Sequence, residues 1–215
     1  MASNHLVLLP GLLNDAALWR HQIDHLADLA EITVGDLTQD NSMTAIAERV
    51  LASAPRTFAL AGLSMGGYVA QEIMRQAPER VERLALCDTN ARADTEAQTA
   101  TRRQLIRLAE IGKFKGVTPR LLPNLIHPDH LKVEGITGPI LEMAERVGQA
   151  AFKRQQEAIL GRKDGRPDLA HSRAHAGPVR PAGQADAIGV APGDARPHRG
   201  KPAGRDRGCG PSPAA

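Results

Sequence analysis

The chain has 215 residues, a formal net charge of +3 and only 2% aromatic residues. That length allows one domain with a real core, and no apolar run approaches the roughly 20 residues of a membrane helix. The positive charge is concentrated in residues 171–215, so the first 170 residues offer no basic nucleic-acid surface, and so few aromatics give no base-stacking platform. Two cysteines, Cys87 and Cys209, imply no disulfide framework and point to a reducing, cytoplasmic setting. The segment Met1–Leu13 has no basic leader and no small-residue cleavage site, and reads as a first strand rather than a signal peptide.

In chain order, His5–Leu9 is a buried strand ended by Pro10-Gly11. Leu18, Ile23, Leu26 and Leu29 recur at helical spacing between Ala16 and Leu29. Glu31–Val34 is a second strand, and Met43 to Leu51 a helix capped by Asn41 or Ser42. Thr57–Ala61 is a third strand that Gly62 should end; Gly66 to Arg75 is helical, and Val81–Cys87 is a fourth strand. Strands alternating with helices predict a doubly wound, mostly parallel α/β sheet over residues 1–92. Residues 93–163 contain no convincing strand. Their helical patterns, Glu96–Ile111 and Ile140–Ile159, are joined by a Pro-containing stretch and predict a helical cap over an active site. Residues 164–215 form a tail in which, from His171 on, Gly, Pro and Ala fill more than half the positions and Leu is absent. Such a composition buries too little apolar surface to offset chain entropy, and predicts disorder.

The chemistry is concentrated in Gly62-Leu63-Ser64-Met65-Gly66, a G-x-S-x-G pattern between a buried strand and a helix. Gly62 and Gly66 are required because a β-carbon at either would strike the neighbouring backbone. Ser64 is thereby presented at a helix N-terminus, where free N–H groups and the helix dipole favour developing negative charge. The Met65 N–H is a candidate oxyanion donor. The turn after the first strand, Pro10-Gly11-Leu12-Leu13, offers a second donor in the Leu12 N–H. Asp88, at the end of the fourth strand, is a candidate acid, although such a residue more often caps its loop. His127-Pro-Asp-His130 reads as a turn rather than a metal site, Met143, Leu141 and Val147 as packing residues, and Gly62–Gly67 lacks the lysine of a phosphate loop.

Leu9-Pro-Gly-Leu-Leu13, Gly62-Leu-Ser-Met-Gly-Gly67 and Asp88-Thr-Asn-Ala-Arg92 together resemble the small esterase and enol-lactonase-like α/β-hydrolases, over about residues 5–170. Pro10 stands where that family usually has His. The resemblance implies a Ser–Asp–His set in chain order and no cofactor. It also implies a small acyl substrate and an acyl-enzyme on Ser64. The later two motifs, a G-x-x-D-x-x-T-P-like stretch and a G-H-L-like stretch, are absent in frame. Asp186 and His198 are poor substitutes, because they lie in the Gly/Pro/Arg-rich tail.

Reading the tail one base later permits both motifs. His175 must then give Thr or Met, Gln184 Lys or Arg, and Asp186 Thr or Met. With permitted choices at the neighbouring codons, the segment reads I-R-x-P-T-L-V-L-x-G-x-x-D-(K/R)-L-T-P. Residues 210–212 permit G-H-L. A frameshift near residues 170–171 therefore accounts for the tail. The chain as written is then expected to lack the last part of the core, to leave the edge of Val81–Cys87 uncovered, to dissolve poorly and to be impaired or inactive. The alternatives are a non-catalytic binding module and an acyltransferase or haloperoxidase-like activity on the same scaffold. Oligomeric state is not legible.

Overall fold

The computed structural model describes residues 4–167. Asp186, His198 and the proposed frame change lie outside them. Four strands, β1 (His5–Leu9), β2 (Glu31–Val34), β3 (Phe58–Leu63) and β4 (Val81–Cys87), form a parallel sheet in the order β2-β1-β3-β4. Three of these begin and end where the sequence places them. β3 differs: it continues through Gly62 to Leu63 because Gly62 pairs with Leu86 and Leu63 with Cys87. Glycine did not end the strand; the ladder carries it to the residue before Ser64.

Successive side chains of β1 point to opposite faces. Val7 and Leu9 join Phe58 and Leu60 under helices α2 (Met43–Ser53) and α3 (Met65–Gln76), where Ile46, Val50, Val69 and Ile73 complete the main core. Leu8 and Ala61 face the other way and pack with Trp19 and Ile23. Both faces are covered, which explains why these strands read as continuous apolar runs rather than alternating ones.

The predicted helix from Ala16 to Leu29 is shorter and divided. Asp15 caps a 3₁₀ turn at Ala16–Trp19, and α1 (Arg20–Leu26) follows. Leu29 is left exposed. Ser42, rather than Asn41, caps α2, its side chain accepting from the Ala45 N–H.

The segment after β4 contains α4 (Glu96–Leu108), a wide turn at Ala109–Lys113, and α5 (Glu134–Leu160). Thr95 and Gln98 form a reciprocal cap that starts α4. Helix α5 begins before Pro139, earlier than Ile140, and bends at Gly148, whose φ is +74°. Beyond that bend Ala158 and Ile159 enter the main core, while Phe152 joins Ala109, Ala144 and Leu13 in a second cluster. Among the described residues, no helix is long and apolar enough to cross a membrane.

Candidate active site

In a parallel sheet the crevice lies beyond the carboxyl ends of the strands, where successive connections leave in opposite directions. Here that point falls between β1 and β3, because the chain leaves β1 toward β2 on one side and β3 toward β4 on the other. The loop after β1 carries Gly11, and the turn after β3 carries Ser64. A β-carbon built on Gly11 would sit 3.6 Å from the Ser64 Cβ and 3.6 Å from the Leu63 carbonyl oxygen. The two segments singled out in the sequence are therefore neighbours in space.

Ser64 has φ 51° and ψ −112°. This is left-handed backbone that an L-residue adopts at a cost of about 1–3 kcal/mol, and it persists only when the surroundings impose it. Those surroundings are identifiable. The Ser64 N–H donates to the Cys87 carbonyl at 3.0 Å, and the Ser64 carbonyl accepts from the Gly67 N–H at 3.0 Å and from the Thr89 hydroxyl at 2.7 Å. A β-carbon on Gly66 would fall 2.7 Å from the Pro10 carbonyl oxygen and closer still to that of Leu9; one on Gly62 would fall 2.7 Å from the Gly67 nitrogen. Helix and strand approach so closely that only glycine fits at both places. The Ser64 side chain caps no helix N–H. Met65 opens α3, so its N–H has no acceptor within the helix.

Leu12 and Leu13 are the central residues of a turn closed by the Asn14 N–H donating to the Gly11 carbonyl at 3.1 Å. Leu13 has φ 59°. Leu13 is buried in a cluster with Ala109, Ala144 and Phe152, and Leu12, Leu105, Phe114 and Val147 pack against that cluster.

Leu63 pairs with Cys87, so Ser64 and Asp88 are the next residues on adjacent strands. Asp88 also has positive φ, 42°. Although the residue keeps exposed surface, nearby protein displaces water from its carboxyl and pushes the pKa up; burial and then the Asp88 charge push the Cys87 thiol up as well.

The described histidines have other companions. His5 bonds Thr33 at the opposite end of the sheet, His21 and His25 stack on α1, and His127 lies edge-on to His130. Among the described residues no cluster of His, Cys, Asp or Glu could hold a metal ion. A surface groove of about 410 Å³ lined by Asn4, His5, Ala27 to Glu31 and Pro55 also lies at that opposite end, away from Ser64.

Two contributors were missed in the sequence. Thr89 backs the serine turn, and Gln155 reaches the Leu13 N–H from α5. In the sequence Gln155-Gln156 sits within the polar run Lys153–Glu157, so nothing there marked the pair; its complete burial is seen only in the fold.

No family model and no curated protein matches the chain. Solved structures do. A thermophilic esterase from Thermogutta terrifontis superposes with a TM-score of 0.66 at 23% identity, over 76% of this chain and 65% of that one. The enol-lactonase from Burkholderia xenovorans LB400 gives 0.67 at 21% identity, over 78% and 68%. MenH from S. aureus gives 0.53 at 20% identity, over 77% and 68%. The chain thus spans about two thirds of the length of these structures, and falls just short of that for the esterase.

Proposed function

We propose that this chain, which has the α/β-hydrolase fold, is built as a serine hydrolase for a small ester, lactone or related acyl substrate. The observation that carries this reading is the backbone of Ser64: a non-glycine residue in strained geometry, between β3 and α3, at the switch point of the sheet. Strain of this kind is retained where it aims a reactive group.

In this reading the Ser64 hydroxyl oxygen attacks the acyl carbonyl, and a base takes its proton. The Met65 and Leu12 N–H groups receive the developing oxyanion. The alcohol leaves with a proton from the same base, and water then releases the acid. The helical region 93–163 acts as a cap whose apolar side, with Leu12, Leu105, Phe114 and Val147, accepts the substrate's carbon skeleton. The enzyme works on a small molecule without a cofactor, in a cytoplasmic setting. Asp88 remains the candidate acid within the described residues. The histidine base and the usual acid belong to the alternative reading of residues 171–215, so the chain as written is impaired.

The test compares the printed chain with a version in which one base is restored near codon 170. Both are treated with p-nitrophenyl acetate, a small lactone and a fluorophosphonate probe. The restored chain is expected to turn over and to be labelled at Ser64, the printed chain to be slower by about 10³-fold or more, and Ser64→Ala to abolish both. Turnover that survives Ser64→Ala, or a restored chain with none, would sink the proposal. A second reading, a non-catalytic binding module, draws on the engagement of every described histidine elsewhere. Saturable ligand binding without turnover in both chains would favour it. Adding an acceptor alcohol, or halide with peroxide, separates acyl transfer or haloperoxidase-like chemistry from hydrolysis.

A further inference from the structure

We propose that Gln155 is a positioning residue for the loop that carries the Leu12 N–H, holding that loop in register with Ser64 from helix α5. The meaning of the Leu12 N–H rests on the serine-hydrolase reading above; the anchoring of the loop does not.

Gln155 is fully buried and lies beyond the Gly148 bend. Its carboxamide oxygen accepts from the Leu13 N–H at 3.2 Å, across 142 residues of chain, and its nitrogen donates to the Leu37 carbonyl at 3.3 Å. These backbone groups belong to two different loops, one after β1 and one after β2, both beyond the carboxyl edge of the sheet. Neither has a place in the strand ladder. A buried N–H and a buried C=O left without partners would each cost about 1–3 kcal/mol. One carboxamide satisfies both.

The need for an anchor is local. Leu13 adopts φ 59°, where a leucine pays for the clash of its β-carbon with the backbone. The turn bond from Asn14 to Gly11 alone leaves the Leu13 N–H pointing at nothing within its own loop. Helix α5 reaches this end of the sheet through three further side chains: Arg146 pairs with Asp15 at 2.7 Å, Arg154 donates to the Thr38 carbonyl at 2.7 Å, and Glu157 accepts from the Asn41 side chain at 3.1 Å. Those contacts grip the flanks; Gln155 grips the turn itself. Leu12 and Leu13 are consecutive residues of one turn, so a displacement of the turn that releases the Leu13 N–H also moves the Leu12 N–H.

The chemistry predicts which substitutions are tolerated. Leucine supplies no polar atom. An ionised glutamate accepts from Leu13 but sets a negative oxygen against the Leu37 carbonyl. A protonated glutamate again offers one acceptor and one donor, and burial favours that protonated form.

The experiment uses the full chain and its Gln155→Leu and Gln155→Glu variants. Amide exchange at Leu13 is followed by NMR, with the Leu60 amide of β3 as the global control. Exchange at Leu13 is expected to accelerate about tenfold or more in Gln155→Leu at every pH, through a local opening far more frequent than the global unfolding that Leu60 reports. In Gln155→Glu the acceleration should appear at pH 8 and fade toward pH 5, after correction for intrinsic exchange. In the chain with one base restored near codon 170, Ser64 phosphonylation by a fluorophosphonate should slow about tenfold in Gln155→Leu with unchanged probe affinity, a partial version of losing an oxyanion donor. The inference is overturned if Leu13 keeps its parental exchange in both variants, if it loses protection only together with Leu60, or if a loosened Leu13 leaves phosphonylation unchanged. A frame-restored parent that is never labelled, with the exchange pattern as expected, counts against the hydrolase reading and upholds the anchor.

Discussion

Thr89 and Ser64 are joined by a 2.7 Å hydrogen bond from the threonine hydroxyl to the serine carbonyl. The same threonine occupies the space a β-carbon on Gly67 would need, 2.6 Å from its own Cβ. The loop after β4 is therefore the backing against which the serine turn is formed. Thr89→Val keeps the shape and removes the donor. It should cost about 1 kcal/mol, a fall in Tm of roughly 2–4 °C, and Ser64 should be labelled more slowly. In a double-mutant cycle, Gly67→Ala should be strongly destabilising with Thr89 present and partly rescued by Thr89→Ala. Additive losses would mean that the two sites do not press on one another.

The strain at Ser64 predicts a ranking. Ser64→Ala keeps a β-carbon in left-handed backbone and should melt close to the parent. Ser64→Gly relieves it and should be more stable than Ser64→Ala by about 1 kcal/mol. Thermal unfolding of the pair checks this. Equal melting temperatures would mean the turn is not strained in solution.

Asp94 receives two arginines. Arg102 Nε donates to it at 2.7 Å and Arg162 Nη1 at 2.6 Å, with Arg162 lying 4.1 Å over the Tyr68 ring. The Asp94 and Arg162 side chains are each only 5% exposed. They tie the chain before α4 to the chain after α5. Asp94→Ala strands two guanidinium groups in a dry site and should cost about 3–5 kcal/mol. Denaturant titration measures it; a loss below about 1 kcal/mol would place the cluster in the solvent-screened class.

Two aspartates should respond to acid in opposite directions. Partial burial opposes ionisation of Asp15, but hydrogen bonds from Arg146 and the Ala17 N–H outweigh it, and its pKa lies below the ordinary value. Stability from Asp15 is therefore complete above the unfolded pKa near 3.9 and is lost as pH falls through the lower folded value. Desolvation raises the pKa of Asp88, so its charge lowers stability once pH rises past the unfolded value and through the folded one. At pH 7, Asp15→Asn should melt below the parent and Asp88→Asn above it. Both differences should shrink toward zero below about pH 4. Differences that persist there would assign the effects to packing rather than charge.

The local sequence determined the elements and the turn. The strands His5–Leu9, Glu31–Val34 and Val81–Cys87 carry their own boundaries in the local sequence; only in β1 is the apolar run, Leu6–Leu9, unbroken, because both faces of that strand are covered. Gly62 and Gly66 flank Ser64 at a spacing that only a tight strand-to-helix turn explains; a β-carbon on Gly62 would strike the backbone of that turn, whereas one on Gly66 would strike Leu9 and Pro10, which the paired sheet brings there. Other features were decided only in three dimensions. Gly62 reads as a stop but is held in β3 by Leu86. The helical pattern reads from Ile140, but α5 begins at Glu134 and takes in Pro139. The order β2-β1-β3-β4, which brings Gly11 beside Ser64, is not written in any one segment. Periodicity and turn chemistry act over a few residues, so they are visible in a sequence window. Gln155 meets Leu13, and Thr89 meets Ser64, only after the strands between them have paired, and no pattern along the chain encodes that distance.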